Sequence, residues 1–248
     1  LNTMKKILVI QSRRRPEMLQ GEQGEYTRAV GESAELTFVS SLDTSLEWQE
    51  PEKILAGYDG VIMGGSGEFD FDGGRPEDDP ARQTSQEILT RLTPLVTYIL
   101  SHNVPLLGVC YGHQIVAQVF GARVFNDKTQ TKVGSFEVSL TSTGQEDALF
   151  GDMPETFMAQ YGHKDSVEEV PKEAMLLAKS PNCKASALRY ADSLYTVQFH
   201  PELTETDVKW KLANSPGYLP EGVDVESIIK PSAEASTLIA RFIERIVR

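Results

Sequence analysis

The sequence predicts an α/β fold of three layers, αβα, around a mostly parallel central sheet with an antiparallel extension. Three observations carry that expectation. Short apolar runs alternate with helical stretches through the first half of the chain, as a parallel sheet covered on both faces requires. Two of these runs end in glycine-rich turns, at Gly64-Gly65-Ser66-Gly67 and around Gly108–Gly112; ligands of open parallel sheets bind beyond such strand ends. After Gly121 the texture changes to short strands separated by turn residues.

In chain order, residues 6–11 read as a buried strand, 16–30 as a helix, and 35–40 and 60–63 as the next two strands. Residues 81–102 form a long helix, because Ile88, Leu89, Leu92, Leu95, Val96, Ile99 and Leu100 make one apolar stripe. Pro94 is a kink point within it. Residues 105–109 are a strand and 112–120 a helix. Further strands are expected at 122–125, 133–140, 156–160, 174–178, 186–190 and 194–199. Turn residues such as Thr143-Gly144, Pro181-Asn182 and Ala191-Asp192-Ser193 separate them. Residues 203–230 have weak periodicity. A closing helix over about 233–247 presents Leu238, Ile239, Phe242, Ile243, Ile246 and Val247 on one face. With no repeat, low-complexity tract or linker, residues 1–248 read as a single domain.

The chain has 248 residues, 40% of them hydrophobic, enough to bury a large α/β core. A formal net charge of −12 argues against nucleic acid or an anionic membrane as partner, since no basic field attracts phosphates. Arg13-Arg14-Arg15 is a lone basic cluster. It reads as a solvated loop in preference to a contact for an anionic ligand. Two cysteines, Cys110 and Cys183, do not make a disulfide framework and point to a reducing, cytoplasmic setting. No apolar run reaches membrane-spanning length. Leu1-Asn2-Thr3, ahead of Met4, lacks the apolar core of a signal peptide and reads as a non-native remnant.

The chemistry concentrates at Gly108-Val109-Cys110-Tyr111-Gly112-His113-Gln114. A strand, a tight turn and a helix lift one thiol from the sheet edge and aim a helix N-terminus at it, an arrangement that favours a nucleophile. A cysteine nucleophile needs a base and a group that orients the base. His200 and Glu202, in His200-Pro201-Glu202, are the candidates. Donors for an oxyanion are available from the Gly64–Gly67 loop and from the amide of Tyr111. His113 lies three residues from Cys110 on the following helix and is expected to face elsewhere. His163 reads either as a loop histidine or as a substrate-side residue, and His102 as structural. The acidic run Glu68, Asp70, Asp72, Glu77, Asp78 and Asp79 reads as a solvated, mobile loop without metal-ligand spacing. Cys183 lies in a turn without an evident partner.

These residues resemble the class I, triad-type glutamine amidotransferases. The Gly108–Gln114 segment looks like their nucleophile motif and Gln198-Phe199-His200-Pro201-Glu202 like their His-Pro-Glu motif, with Cys110 and His200 90 residues apart. Gly162-His163-Lys164-Asp165-Ser166-Val167 looks like the substrate-side segment of the guanylate (GMP) synthase type. The resemblance covers about residues 5–202 and implies a flavodoxin-like fold. It implies that Cys110 attacks the side-chain amide of glutamine, that His200 and Glu202 complete the triad, and that the amides of Gly65 and Tyr111 hold the oxyanion. Gly64, Ser66, Gln114, Gly162 and His163 are the implied substrate contacts, with no metal and no cofactor. Two departures stand out. Ser66 replaces the usual proline of the oxyanion loop, and an acidic insertion follows at 68–80. Nothing in the sequence reads as a synthetase module. The expected activity is therefore that of a stand-alone glutaminase, or of a subunit feeding ammonia to a synthetase or other acceptor. The alternatives are a hydrolase of γ-glutamyl conjugates and a non-catalytic regulatory subunit.

Overall fold

Each apolar run of the first half becomes a strand whose successive side chains enter opposite layers. The computed structural model describes residues 4–219 and 221–247; the remnant assigned to Leu1–Thr3 lies outside them. In β1 (Lys5–Gln11), Ile7 and Val9 enter the core on one side and Leu8 and Ile10 the core on the other. The chain continues through α1 (Pro16–Val30), β2 (Ala34–Ser40), α2 (Pro51–Ile54) and β3 (Gly60–Met63). Next come α3 (Pro80–His102), β4 (Leu106–Val109), α4 (Tyr111–Val119) and β5 (Val124–Phe125). α3 starts on Pro80, with the Asp79 side chain accepting from the Ala81 amide, and ends at Asn103 in the left-handed region. It runs through Pro94 as one element.

The second half supplies β6 (Lys132–Leu140), α5 (Ser142–Gln145), β7 (Thr156–His163), β8 (Ser166–Val167), β9 (Met175–Ser180), β10 (Cys183–Ala191) and β11 (Leu194–Val197). It closes with α6 (Glu205–Asn214), α7 (Val225–Ile228) and α8 (Leu238–Arg245). The main sheet runs β2-β1-β3-β4-β11-β10-β9-β6-β7. Pairings from β2 to β11 are parallel and those beyond are antiparallel. Helices α1 and α8 cover one face of the parallel part, and α3 and α4 the other.

Four expectations change. The strand placed at 122–125 is only Val124–Phe125 and pairs with Ser166–Val167 in a separate ribbon. The strand at 194–199 ends at Val197, which releases residues 198–202 from the sheet, and it lies parallel to β4. Cys183 starts β10 and is buried, because the Asn182 turn delivers it into the core. The weakly periodic 203–230 region contains α6 and α7. α6 opens with a capping box between Thr204 and Asp207, and its Val208 and Leu212 join Leu203, just ahead of it, in a third, small apolar cluster.

The topology also fixes where a ligand can go. From β1 the chain moves outward to β2, then returns past β1 to β3 on its other side. The carboxyl ends of β1 and β3 therefore flank a switch point, where open sheets form a crevice. β4 and β11 end beside them in register, Met63 opposite Gly108 and Val197 opposite Val109.

Candidate active site

Cys110 stands at the end of β4 with φ 50° and ψ −95°, a conformation side-chain-bearing residues rarely adopt. The surrounding backbone holds it there. The Cys110 amide donates to Val197 O at 2.8 Å, and Gly112 N to Gly64 O at 3.1 Å. A Cβ on Gly112 would lie 2.3 Å from Met63 O, so the elbow packs too closely on β3 for any other residue. The thiol is 3% exposed. The next side chain, Tyr111, is buried and donates to Ser85 Oγ at 2.9 Å.

His200 and Glu202 follow β11. The His200 amide donates to Gln160 O at 2.8 Å, and its ring Nδ1 lies 2.7 Å from Glu202 Oε1. Burial disfavours the charged ring, but the Glu202 carboxylate and the Cys110 sulfur outweigh it and raise the His200 pKa. Burial likewise pushes the Glu202 carboxyl up, and the His200 charge outweighs that push and holds it down. Gly65 connects this pair to the thiol. A Cβ there would lie 2.8 Å from His200 Cε1 and 3.6 Å from Cys110 Cβ. Among the described residues, the Gly65 and Tyr111 amides donate to no protein acceptor. Cys110, His200, Glu202, Gly65 and Tyr111 thus converge from the ends of β3, β4 and β11.

The implied substrate contacts divide. Gly64 donates to Ile10 O and accepts from Gly112, so its polar backbone is engaged in the scaffold. Ser66 is nearly buried, and its Oγ accepts from the amides of Glu68 and Phe69. Ser66, Gly162 and His200 line one cavity. Gln114 Nε2 donates to Asp165 O at 2.8 Å and to Gln198 Oε1 at 3.3 Å. Gln198 Nε2 in turn lies 3.5 Å from Cys110 Sγ. His163 Nδ1 donates to Asp165 O at 2.9 Å, while its buried Nε2 has no partner among the described residues. Burial depresses its pKa to about 4, so the ring is neutral at pH 7. His113 points away from the thiol toward Thr196 Oγ1, at 2.8 Å, and burial brings it to about 3. His102 caps the end of α3 against Tyr98 O.

Two loops differ from their sequence reading. Phe69, Asp70 and Phe71 of the acidic stretch are buried. Asp70 pairs with Arg75 at 2.8 Å, and Asp165 accepts from the amides of Asp72 and Gly73. Phe71 also stacks on Tyr111, with ring centroids 5.3 Å apart. These contacts, rather than solvent, absorb the start of the insertion. Arg13 departs further from a solvated loop residue. It is 3% exposed, and its Nε meets Glu22 Oε1 at 3.0 Å. Beside it Lys211 Nζ meets the buried Glu25 Oε1 at 3.0 Å. Sequence reasoning missed Glu22, Glu25 and Lys211, read Arg13 as solvated, and quoted Gln198 within the His-Pro-Glu motif without giving it a role. A signal existed for Glu22 and Glu25. They share the helical spacing of Met18, Tyr26 and Val30 and therefore the inward face of α1.

Among the described residues no group of three or more His, Cys, Asp or Glu is placed to hold a metal ion. No helix there is long and apolar enough to cross a membrane.

Residues 39–214 match the sequence profile of the glutamine amidotransferase class-I family. The chain is 32% identical over 162 residues to one subunit of the GMP synthase (glutamine-hydrolyzing) of Methanopyrus kandleri, across 64% of this chain and 74% of that one. It is 34% identical over 148 residues to the GMP synthase (glutamine-hydrolyzing) of Borreliella burgdorferi, across 60% of this chain but a quarter of that longer one (25%). A glutamine amidotransferase from Thermotoga maritima superposes with a TM-score of 0.74 over 100% of both chains, at 18% identity.

Proposed function

The chain belongs to the class-I glutamine amidotransferase family, and on that premise we propose that it hydrolyses the side-chain amide of glutamine to glutamate and ammonia. The observation that carries this reading is the meeting of thiol, imidazole and oxyanion loop at Gly65. Cys110 Sγ attacks the γ-carbonyl carbon, and the developing oxyanion is held by the Gly65 and Tyr111 amides. The tetrahedral adduct collapses with C–N cleavage as His200 gives its proton to the departing nitrogen. Water then attacks the γ-glutamyl thioester while His200 takes its proton. Cleavage of the C–S bond restores the thiol. Glu202 holds the ring with Nε2 available and stabilises its charged form.

The polar groups beyond the thiol support positioning roles. Gln198 reaches the sulfur directly, and Gln114 holds Gln198. Gly162 and His163 lie at the end of β7 beside them and remain the proposed contacts for the glutamyl half. Ammonia release from glutamine by the wild-type protein and by Cys110→Ala tests the reading. Equal rates in the two would overturn it.

The relatives that form one subunit of a GMP synthase favour a second element, transfer of the ammonia to a separate synthetase-type chain. Glutamine turnover that rises when such a chain is added is the expected result, and unchanged turnover rejects the partnership.

A further inference from the structure

The protein is closed over Cys110. The thiol is 3% exposed, and the cavity that Ser66, Gly162 and His200 line on one side measures about 60 Å³. Pockets that take small molecules measure roughly 300 Å³ or more. The opposite wall is Leu212, Ser215 and Tyr218, from the end of α6 and the turn that follows it. A substrate therefore reaches the sulfur only if one wall moves. The first wall is fixed. Ser66 Oγ accepts two loop amides, Gly162 pairs with Val133 in the sheet, and the His200 amide donates to Gln160 O. α6 is fixed as well, by Val208 and Leu212 in its apolar cluster and by Lys211 on Glu25.

The turn at 215–219 is held differently. Tyr218 and Leu219 pack only at the margin of the apolar cluster, and a Cβ on Gly217 would meet no atom within 4 Å. Two long cationic side chains tie the turn down. Arg15 Nη1 donates to Asn214 O and its Nη2 to Ser215 Oγ, each at 3.1 Å. Lys164 Nζ lies 4.6 Å from the centre of the Tyr218 ring. These holds come from both flanks of the cleft. The Arg15 amide donates to Glu68, just past the oxyanion loop, and Lys164 belongs to the substrate-side segment. Contacts of this kind in partly exposed positions are individually weak. Tyr218 reaches furthest inward, with Cε2 and Oη each 3.9 Å from a Cβ position on Gly67. Burial, the Asp70 carboxylate and the Cys110 sulfur raise its pKa, so the hydroxyl keeps its proton as a donor at the cavity. Arg15 and Tyr218 both lie outside residues 39–214, so the family match does not account for this arrangement.

We propose that the turn at 215–219 is a cover of the Cys110 site, latched by Arg15 and Lys164, that lifts to admit the substrate and closes with Tyr218 against it. The inference rests on the hydrolytic reading above for the identity of the substrate. Closing such a segment shields the reacting bond from bulk water and completes the site around the bound molecule. Tyr218 is then a substrate contact supplied by the chain beyond α6.

The test reads the alkylation rate of Cys110 by iodoacetamide, located by peptide mass spectrometry. Cys183, also 3% exposed, is the internal control. The pair Arg15→Gln with Lys164→Gln removes both holds, and Tyr218→Ala removes the cover itself. Each is expected to speed Cys110 alkylation about tenfold or more, the combined scale of such contacts, with the pH midpoint of wild type and no change at Cys183. With glutamine, Tyr218→Ala is expected to raise KM more than it lowers kcat, as loss of a binding contact does. An unchanged Cys110 rate in both variants overturns the cover. An equal gain at Cys183 overturns it too, as general loosening, and so does a moved pH midpoint that accounts for the whole gain, as a charge effect on the thiol. A fall in kcat alone removes Tyr218 from the substrate contacts. If wild type does not hydrolyse glutamine while Cys110 alkylation still rises in the variants, the hydrolytic reading fails and the cover stands.

Discussion

On one side of Cys110 a hydrogen-bonded chain of neutral groups reaches the thiol: the amides of Gln114 and Gln198, the His163 ring and the Asp165 carbonyl. The charges buried near it lie outside that chain, the Asp165 carboxylate on the Asp72 and Gly73 amides and Lys132 over the Phe136 ring. On the other side the buried polar groups are ionic, with Arg13–Glu22, Lys211–Glu25 and His200–Glu202 packed under the helix that follows the last strand. The two regions use burial differently. Neutral dipoles orient a group at little desolvation cost, and burial keeps His163 uncharged. Ion pairs are costly to bury, but once made they hold a proton where the chemistry needs one. The comparison assigns positioning to the first region and proton transfer to the second.

The sharpest way to break it is at the boundary. Cys110→Ala is expected to lower glutamine hydrolysis by about 10⁴ or more, the scale of nucleophile loss in triad enzymes. Activity within tenfold of wild type would remove the boundary altogether. Next, Glu202→Gln strips the ionic region of the carboxylate that keeps His200 charged, and kcat should fall by about 10³ to 10⁴. Its pH dependence carries a sign. A raised His200 pKa stabilises the fold fully below about pH 6.5, and this contribution fades as pH rises through the folded value. In Glu202→Gln the ring should titrate at lower pH by NMR and that alkaline fading should vanish. An unmoved His200 titration would detach Glu202 from the pair.

Gly65→Ala introduces a methyl 2.8 Å from the His200 ring. A loss of about 10² to 10³ in kcat is expected with the melting temperature nearly unchanged, since the displaced groups are the reacting ones. A large drop in melting temperature would make Gly65 a packing residue instead. The smallest effect belongs to the neutral region. Gln198→Leu removes a weak hydrogen bond to sulfur and the one accepted from Gln114, together worth about 1–2 kcal/mol or roughly five- to thirtyfold in kcat/KM. A loss beyond a hundredfold would show that the amide chain does more than position.

Legibility in the sequence follows the same division. Cys110, Gly112, His200 and Glu202 sit in short contiguous motifs, and local rules sufficed: glycines permit the elbow, and one intervening proline sets two side chains on one side. The parallel half of the sheet was legible too, because strands buried on both faces are uninterrupted apolar runs between helical stripes. Arg13, Glu22, Glu25 and Lys211 come from the end of β1, from α1 and from α6, so no spacing rule links them. Arg13 read as solvated because three adjacent arginines normally are; Arg14 and Arg15 stay near the surface while Arg13 turns inward to Glu22. The acidic loop misled for a related reason. Phe69 and Phe71 anchor it, and charge counting overlooks two aromatics.

The amino-acid sequence by itself determined the alternating layers, the strained cysteine elbow and the local His-Pro-Glu geometry, because each depends on neighbours within a few residues. Tertiary structure alone decided which strand ends lie side by side, and so which charges are buried together. Strand order in a sheet is set by long-range packing, and the β1–β3 switch point brings Arg13 to a thiol 97 positions further along the chain.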